Sequence, residues 1–293
     1  MRRGIVGVAL GASMLLAGCS IGDAGRVAAP TSSTLPSSTV SAPTTKTPPP
    51  ALCPPLDCDM RERISAVNEY LAGRPGTVGY VIRDRVGGGT FRNNNADTRI
   101  WAASTVKLAM AVDLFTRADA GSIDLSASDR DRIQRMLHSS DNDAADALWQ
   151  RYSGAGQTEY NTGFAQYGMT DLRPQTELPY WGLQKCTADD LDRLIVHALT
   201  ALPEADTAYL VKQMQNVDPV QQWGVWGAGA AEEPGNKDGW SEEDTGWVVN
   251  SVGFAGPGQR YTLAIMNSLG DAGGYDDGVE TVTHVAALLL ADR

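Results

Sequence analysis

The chain has 293 residues, with 35 acidic against 24 basic side chains and a formal net charge of −11. Such an acidic chain has no electrostatic footprint for nucleic acid, and none for an anionic lipid surface. Nucleic-acid binding is excluded as a function class, and any membrane attachment has to come from something other than a basic patch.

Arg2 and Arg3 precede an uncharged, mostly apolar run over residues 4–17. That run is too short to cross a bilayer core, which takes roughly 20 apolar residues. A basic start, a short apolar stretch and small residues at its end predict a secretory signal. Leu16-Ala17-Gly18-Cys19 resembles the bacterial lipobox. The resemblance implies a signal peptide over residues 1–18, cleavage before Cys19, diacylglycerol on its sulfur and acylation of the new amino terminus. The protein is then a lipoprotein whose membrane partner is reached through Cys19, at the outer face of the bacterial cell membrane. Several acyl chains give a stable anchor where one is marginal. Without the signal, 22 basic and 35 acidic residues remain, a net charge of −13.

Residues 19–50 are rich in Ser, Thr, Pro and Ala and end in Pro48-Pro49-Pro50. Such a segment cannot bury enough apolar surface to offset its chain entropy, and its prolines keep it extended, so it predicts a tether. Residues 51–293 remain for one folded domain. Of its cysteines, Cys53, Cys58 and Cys186, any two could pair in an oxidising compartment, and the sequence leaves the three choices open. None lies near His138, His197 or His284 in sequence, so neither a metal nor a cofactor is expected.

Apolar residues at helical spacing predict a helix over 60–73, and residues 77–83 predict a strand turning through Val86-Gly87-Gly88-Gly89 into a second. Helices are predicted over 105–118, 129–137 and 143–152, the last two separated by a polar hinge at 139–142. A further helix covers 188–202 with Thr187 as N-cap, strands cover 247–254 and 260–267, and a helix covers 279–291. Strands come from both ends of the chain and helices fill the middle. The simplest assembly is α/β (α+β): one antiparallel sheet pairing the two ends, flanked by helices, with a mostly helical lobe beside it.

Ser104-Thr105-Val106-Lys107 stands where a turn meets a helix, with about one turn between Ser104 and Lys107, so both side chains emerge on one face. A serine hydroxyl needs a base to become a nucleophile, and a buried lysine with a lowered pKa can be that base. Downstream come Ser140-Asp141-Asn142 and Lys237-Asp238-Gly239. The three motifs in this order resemble the penicillin-recognising serine hydrolases, most closely the class A β-lactamases. The likeness covers about residues 60–293 and implies a β-lactamase/transpeptidase-like fold. By position it implies that Ser104 is acylated and Lys107 is its base. Ser140 would pass a proton to the leaving nitrogen, and Asn142 would orient Lys107 and the substrate amide. Lys237 would supply charge beside Ser140 and the substrate carboxylate. Gly239 belongs to the substrate-binding motif, and the backbone N–H groups of Ser104 and Trp240 would form an oxyanion hole. The implied substrate is a β-lactam or a peptidoglycan-like amide.

Three departures narrow this. Glu177 falls about where the family's deacylation base stands, but Trp181 takes the place of the asparagine four residues on, in a shorter loop. Glu177 therefore reads as a loop carboxylate ahead of a second base. Asp238 stands where the family usually carries a hydroxyl, and a carboxylate facing an anionic substrate opposes it by about 1–4 kcal/mol; pairing with Lys237 or turning away are the alternatives. The stretch from Lys107 to Ser140 is short, so the helical lobe is trimmed. Trp223, Trp226, Trp240 and Trp247 fit core packing at least as well as a substrate groove. A Ser-His-Asp hydrolase fits poorly, since no Gly-x-Ser-x-Gly surrounds Ser104 and all three histidines fall in or at the end of predicted helices. The readings in order are a β-lactamase-like serine hydrolase slow to turn over β-lactams, a DD-peptidase-like peptidoglycan enzyme, and a non-catalytic envelope-binding lipoprotein.

Overall fold

The computed structural model describes residues 56–156, 158–177 and 179–293; the signal, Cys19, the tether and Cys53 lie outside them. Helix α1 (Cys58–Leu71) starts at Asp57, whose carboxylate accepts the Met60 N–H at 2.8 Å. Cys58 is disulfide-bonded, whereas Cys186 is a buried free thiol, which removes Cys186 from the pairings left open above. Strands β1 (Thr77–Asp84), β2 (Thr90–Arg92) and β3 (Ile100–Trp101) lead into a 3-10 turn over Ala103–Thr105 and helix α2 (Val106–Asp119). Helices α3 (Ala127–His138), α4 (Asn142–Tyr152) and α5 (Glu159–Gln166) follow. Short strands β4 (Arg173–Pro174) and β5 (Gln184–Cys186) then join β3 in a small sheet. Helices α6 (Ala188–Thr200) and α7 (Glu204–Gln215) precede strands β6 (Gly235–Glu243), β7 (Gly246–Ala255) and β8 (Tyr261–Gly270), and helix α8 (Tyr275–Leu290) closes the fold.

The main sheet runs β2-β1-β8-β7-β6, so the two ends of the chain do pair, Thr77 with Ser268 through Asp84 with Tyr261. Successive side chains of a strand point to opposite faces, and the two hydrophobic clusters divide accordingly. Val81, Val248, Val252, Phe254, Ala264 and Met266 face the helical lobe. Tyr80, Ile82, Val249, Leu263 and Ile265 face α1 and α8. Each such buried side chain contributes about 1.5–3 kcal/mol. Thr187 caps α6 as expected, in a reciprocal capping box with Asp190.

The predicted strands begin only at residue 247, but Lys237-Asp238-Gly239 already lies inside a strand, β6, at the sheet edge and paired with β7 from Gly235–Phe254 to Glu243–Gly246. Its sequence is polar because one of its faces meets the site instead of an apolar layer. The same alternation decides where its side chains go. Lys237 pairs with Val252 and Gly239 with Asn250 on the lobe face; Asp238 pairs with Ser251 and Trp240 with Val249 on the α8 face.

Candidate active site

Ser104 sits half-exposed in the 3-10 turn that opens α2. The residue before it, Ala103, has φ +47°, a left-handed conformation that costs a non-glycine residue about 1–3 kcal/mol. Surrounding bonds hold the strain. Ala102 N–H donates to the Gln184 carbonyl at 2.9 Å, Thr105 Oγ1 to the Ala102 carbonyl at 2.6 Å, and Asn250 Nδ2 to the Trp101 carbonyl at 2.8 Å. Gly239 packs directly on this turn: a Cβ there would stand 2.8 Å from the Ser104 nitrogen and 2.6 Å from that of Thr105. The nucleophile turn is thus clamped between β5, β7 and the edge strand β6.

Lys107 projects from the first turn of α2 and is fully buried. Its Nζ donates to the Ser140 carbonyl at 2.7 Å and to Asn142 Oδ1 at 2.6 Å, and lies 3.3 Å from Ser140 Oγ. Ser140 offers both its carbonyl and its hydroxyl because it too is left-handed, at φ +57°. Asp141 then caps α4, accepting the Ala144 N–H at 2.9 Å and an Arg135 guanidinium bond at 2.6 Å, which fixes Asn142 in the first turn. From the other side Lys237, also buried, donates to Ser140 Oγ at 3.0 Å and to the Asp238 carbonyl at 2.9 Å. Ser140 Oγ therefore bridges two lysines.

Burial, and then the charge of Lys237, push the Lys107 pKa down to about 6, against the opposing pull of Asp141 and Asp146. Burial likewise brings Lys237 down to about 8, with Asp238 opposing. Near neutral pH Lys107 is then an amine and Lys237 an ammonium. A neutral amine has two N–H donors and one lone pair. The two short bonds to Ser140 O and Asn142 Oδ1 use both donors, which leaves the lone pair free to take a proton from a neighbouring hydroxyl.

Glu177 is exposed, in the loop between β4 and β5. Trp181 of the same loop fills the space over Lys107, its ring centroid 4.4 Å from Nζ. The indole Nε1 donates to Asp146 Oδ1 at 2.7 Å, and the Tyr180 hydroxyl donates to the same oxygen. Asp146 stands one turn after Asn142 on α4, a spacing visible in the sequence but not used there. Asn250 is the other residue that sequence reasoning missed; a lone amide in the run Trp247-Val248-Val249-Asn250 was its signal.

Asp238 turns away from this cluster. Its carboxyl is buried on the α8 face beside Gly224, with the Ser251 hydroxyl and the Asn236 side chain next to it. Burial pushes its pKa well above the usual carboxylate range. Trp223, Trp240 and Trp247 gather round Tyr275 on the same face, at 5.7–6.4 Å between ring centroids, so core packing accounts for them. His138 pairs with Asp218 at 3.1 Å, His197 rests on Tyr167 and His284 on Tyr70.

Comparison with known proteins bears on the fold. Residues 61–130 match the model of the "Beta-lactamase enzyme family". The chain is 26% identical over 217 residues to a protein named "Putative lipoprotein LppW" from Mycobacterium tuberculosis H37Rv, covering 71% of this chain and 68% of that one. Among solved structures it is similar to a β-lactamase from Sphaerobacter thermophilus at TM-score 0.62 and 22% identity, covering 80% of this chain and 97% of that one. It is similar to a β-lactamase from Chitinophaga pinensis at TM-score 0.67 and 15% identity, covering 78% and 98%. PBP-A matches at TM-score 0.65 and 19% identity, covering 78% and 94%. The described part of the chain has the β-lactamase/transpeptidase-like fold shared by class A β-lactamases and penicillin-binding proteins, as the order of its three motifs implies.

Proposed function

We propose that the chain is a lipid-anchored envelope enzyme that forms an acyl-enzyme at Ser104 with an amide or β-lactam carbonyl. The observation that carries the reading is the buried Lys107, three residues after Ser104, whose nitrogen is held by Ser140 and Asn142 at 2.6–3.3 Å. In the reaction this amine takes the Ser104 proton as Oγ bonds to the carbonyl carbon. The oxyanion is held by the backbone N–H groups of Ser104 and Trp240, donors that need no reorganisation as charge develops. Ser140 relays a proton from the lysines to the departing nitrogen, the carbon–nitrogen bond breaks, and the Lys237 ammonium balances an anionic substrate group. Asp238, buried on the opposite face of β6, does not face that anion.

The exposed position of Glu177 favours a DD-peptidase-like enzyme acting on peptidoglycan stems over an efficient β-lactamase. Mass spectrometry after incubation with a fluorescent penicillin or a fluorophosphonate tests the reading. One adduct is expected on Ser104, absent from Ser104→Ala. Turnover of a chromogenic cephalosporin is expected to be slow and indifferent to Glu177→Gln. No adduct with either probe leaves the fold in a binding role, and rapid turnover abolished by Glu177→Gln restores the β-lactamase. Cys19→Ala releases the protein from membranes if the anchor is as read.

A further inference from the structure

The loop between β4 and β5 puts an indole where a hydrolytic enzyme of this design needs water. Trp181 is buried, faces the Lys107 nitrogen at 4.4 Å, and is tied at its own nitrogen to Asp146. Asp146 is held in turn by the Tyr180 hydroxyl, and Tyr180 packs edge-on against Trp149 of α4 at 6.4 Å. The loop is closed on itself by the Gln175 N–H to the Leu183 carbonyl at 2.9 Å and the Leu183 N–H to the Tyr180 carbonyl at 3.0 Å. Helix α4 therefore carries both Asn142, which touches the base, and Asp146, which fixes the cover over it.

We propose that Trp181, anchored by Asp146 with Tyr180, is a lid that keeps water from the base and from the Ser104 ester, so that these residues set the lifetime of the acyl-enzyme. The inference rests on the acyl-enzyme reading above. Discharge by water forms a bond from the water oxygen to the acyl carbon and breaks the carbon–Oγ bond. One water proton returns to Ser104 Oγ and the other leaves with the acid. That step needs room for the water and a base beside it. On the loop side the indole covers the Lys107 nitrogen, two donors share the Asp146 oxygen that faces the loop, and Glu177 is at the surface. Asp146 and Trp181 act through Lys107 and through solvent exclusion; they are positioning residues.

The lid also keeps Lys107 dry. The charged groups facing that nitrogen are Lys237 from β6 and Asp141 and Asp146 from α4; the loop contributes only the uncharged ring. The test follows the fluorescent-penicillin adduct on the full-length protein after excess label is removed, together with the pH dependence of its formation. Trp181→Ala is expected to shorten the adduct lifetime at least about tenfold, and to move the midpoint of acylation upward as water reaches the amine. Asp146→Ala is expected to shorten the lifetime by releasing the indole. Asp146→Asn, whose amide oxygen still accepts from Nε1, is expected to restore most of it. Should Trp181→Ala fail to fold, by circular dichroism, the two Asp146 variants answer the question alone. An adduct whose lifetime is the same in wild type, Trp181→Ala and Asp146→Ala overturns the lid but keeps the acyl-enzyme. No adduct in the wild type overturns both.

Discussion

Lys107 has two unlike walls. One is polar and tightly bonded: Ser140, Asn142 and Lys237 reach it or its neighbour within 2.6–3.3 Å. The other is a single indole held at 4.4 Å by residues outside the three motifs. On the proposed reading the polar wall would govern the proton leaving Ser104, and the aromatic wall what meets the ester afterwards. A family resemblance carried by motifs therefore speaks for the first half of a reaction, while the loop between β4 and β5 speaks for the second.

The largest effect is expected on the polar wall. Lys107→Met removes the base and should slow acylation by about 10²–10⁴-fold, the usual range for losing a general base. Stopped-flow measurement of labelling checks it. In the wild type the rate should fall as pH drops through about 6, where Lys107 becomes protonated, and fall again as pH rises through about 8, where Lys237 loses its charge. A flat profile between pH 5 and 9, about one unit beyond each of these values, would separate the wall from the chemistry.

Next is the contact between β6 and the nucleophile turn. The Cβ of Gly239→Ala would meet backbone atoms of Ser104 and Thr105 at 2.6–2.8 Å, and backbone cannot rotate aside as a side chain can. Misplacing the site by about 1 Å costs about 10²-fold, so acylation should fall by that order while the thermal midpoint moves little. Equal loss of fold and activity would show that the contact is structural only.

The smallest effect lies on the far face of the same strand. Asp238→Asn replaces a buried carboxyl with an uncharged amide of the same shape. The folded-state pKa of Asp238 is raised, so the folded protein holds a proton that the unfolded chain releases above about 3.8. The wild type thus loses stability as pH rises through that window, and the amide variant does not. Denaturant titration should find the variant more stable near neutral pH by about 1–3 kcal/mol, with the gap closing towards pH 4 and the acylation rate little changed.

Much of the fold was legible because its main elements are periodic. The continuous apolar runs of β7 and β8 and the stripes of α1, α2 and α6 are what a core on both faces of a sheet requires. Strand β6 was not legible: Gly-Asn-Lys-Asp-Gly lacks the apolar residues that mark a strand, because the site and not a hydrophobic layer covers one of its faces. Helix α5 holds Gly163 and Thr162 in eight residues, and β3, β4 and β5 are two or three residues long, too short for any period to show. At the site, Ser104 and Lys107 were readable from their spacing, and Ser140 and Lys237 through the family resemblance. The direction of Trp181 was not, since an irregular loop has no periodicity from which a side chain's face could be inferred.

The pairing of β1 with β8 has a bearing on when this chemistry can begin. Thr77 meets Ser268 across most of the chain, and contacts of such sequence separation form late and slowly. The groups that dry Lys107 are scattered as well: Ser140 and Asn142 after α3, Trp181 beyond α5, Lys237 on β6. In a partly folded chain the lysine is hydrated and protonated, and no base stands beside Ser104. On the proposed reading, Ser104 would gain its base only once β6 and the loop before β5 had docked, so a nascent chain would carry an unreactive serine.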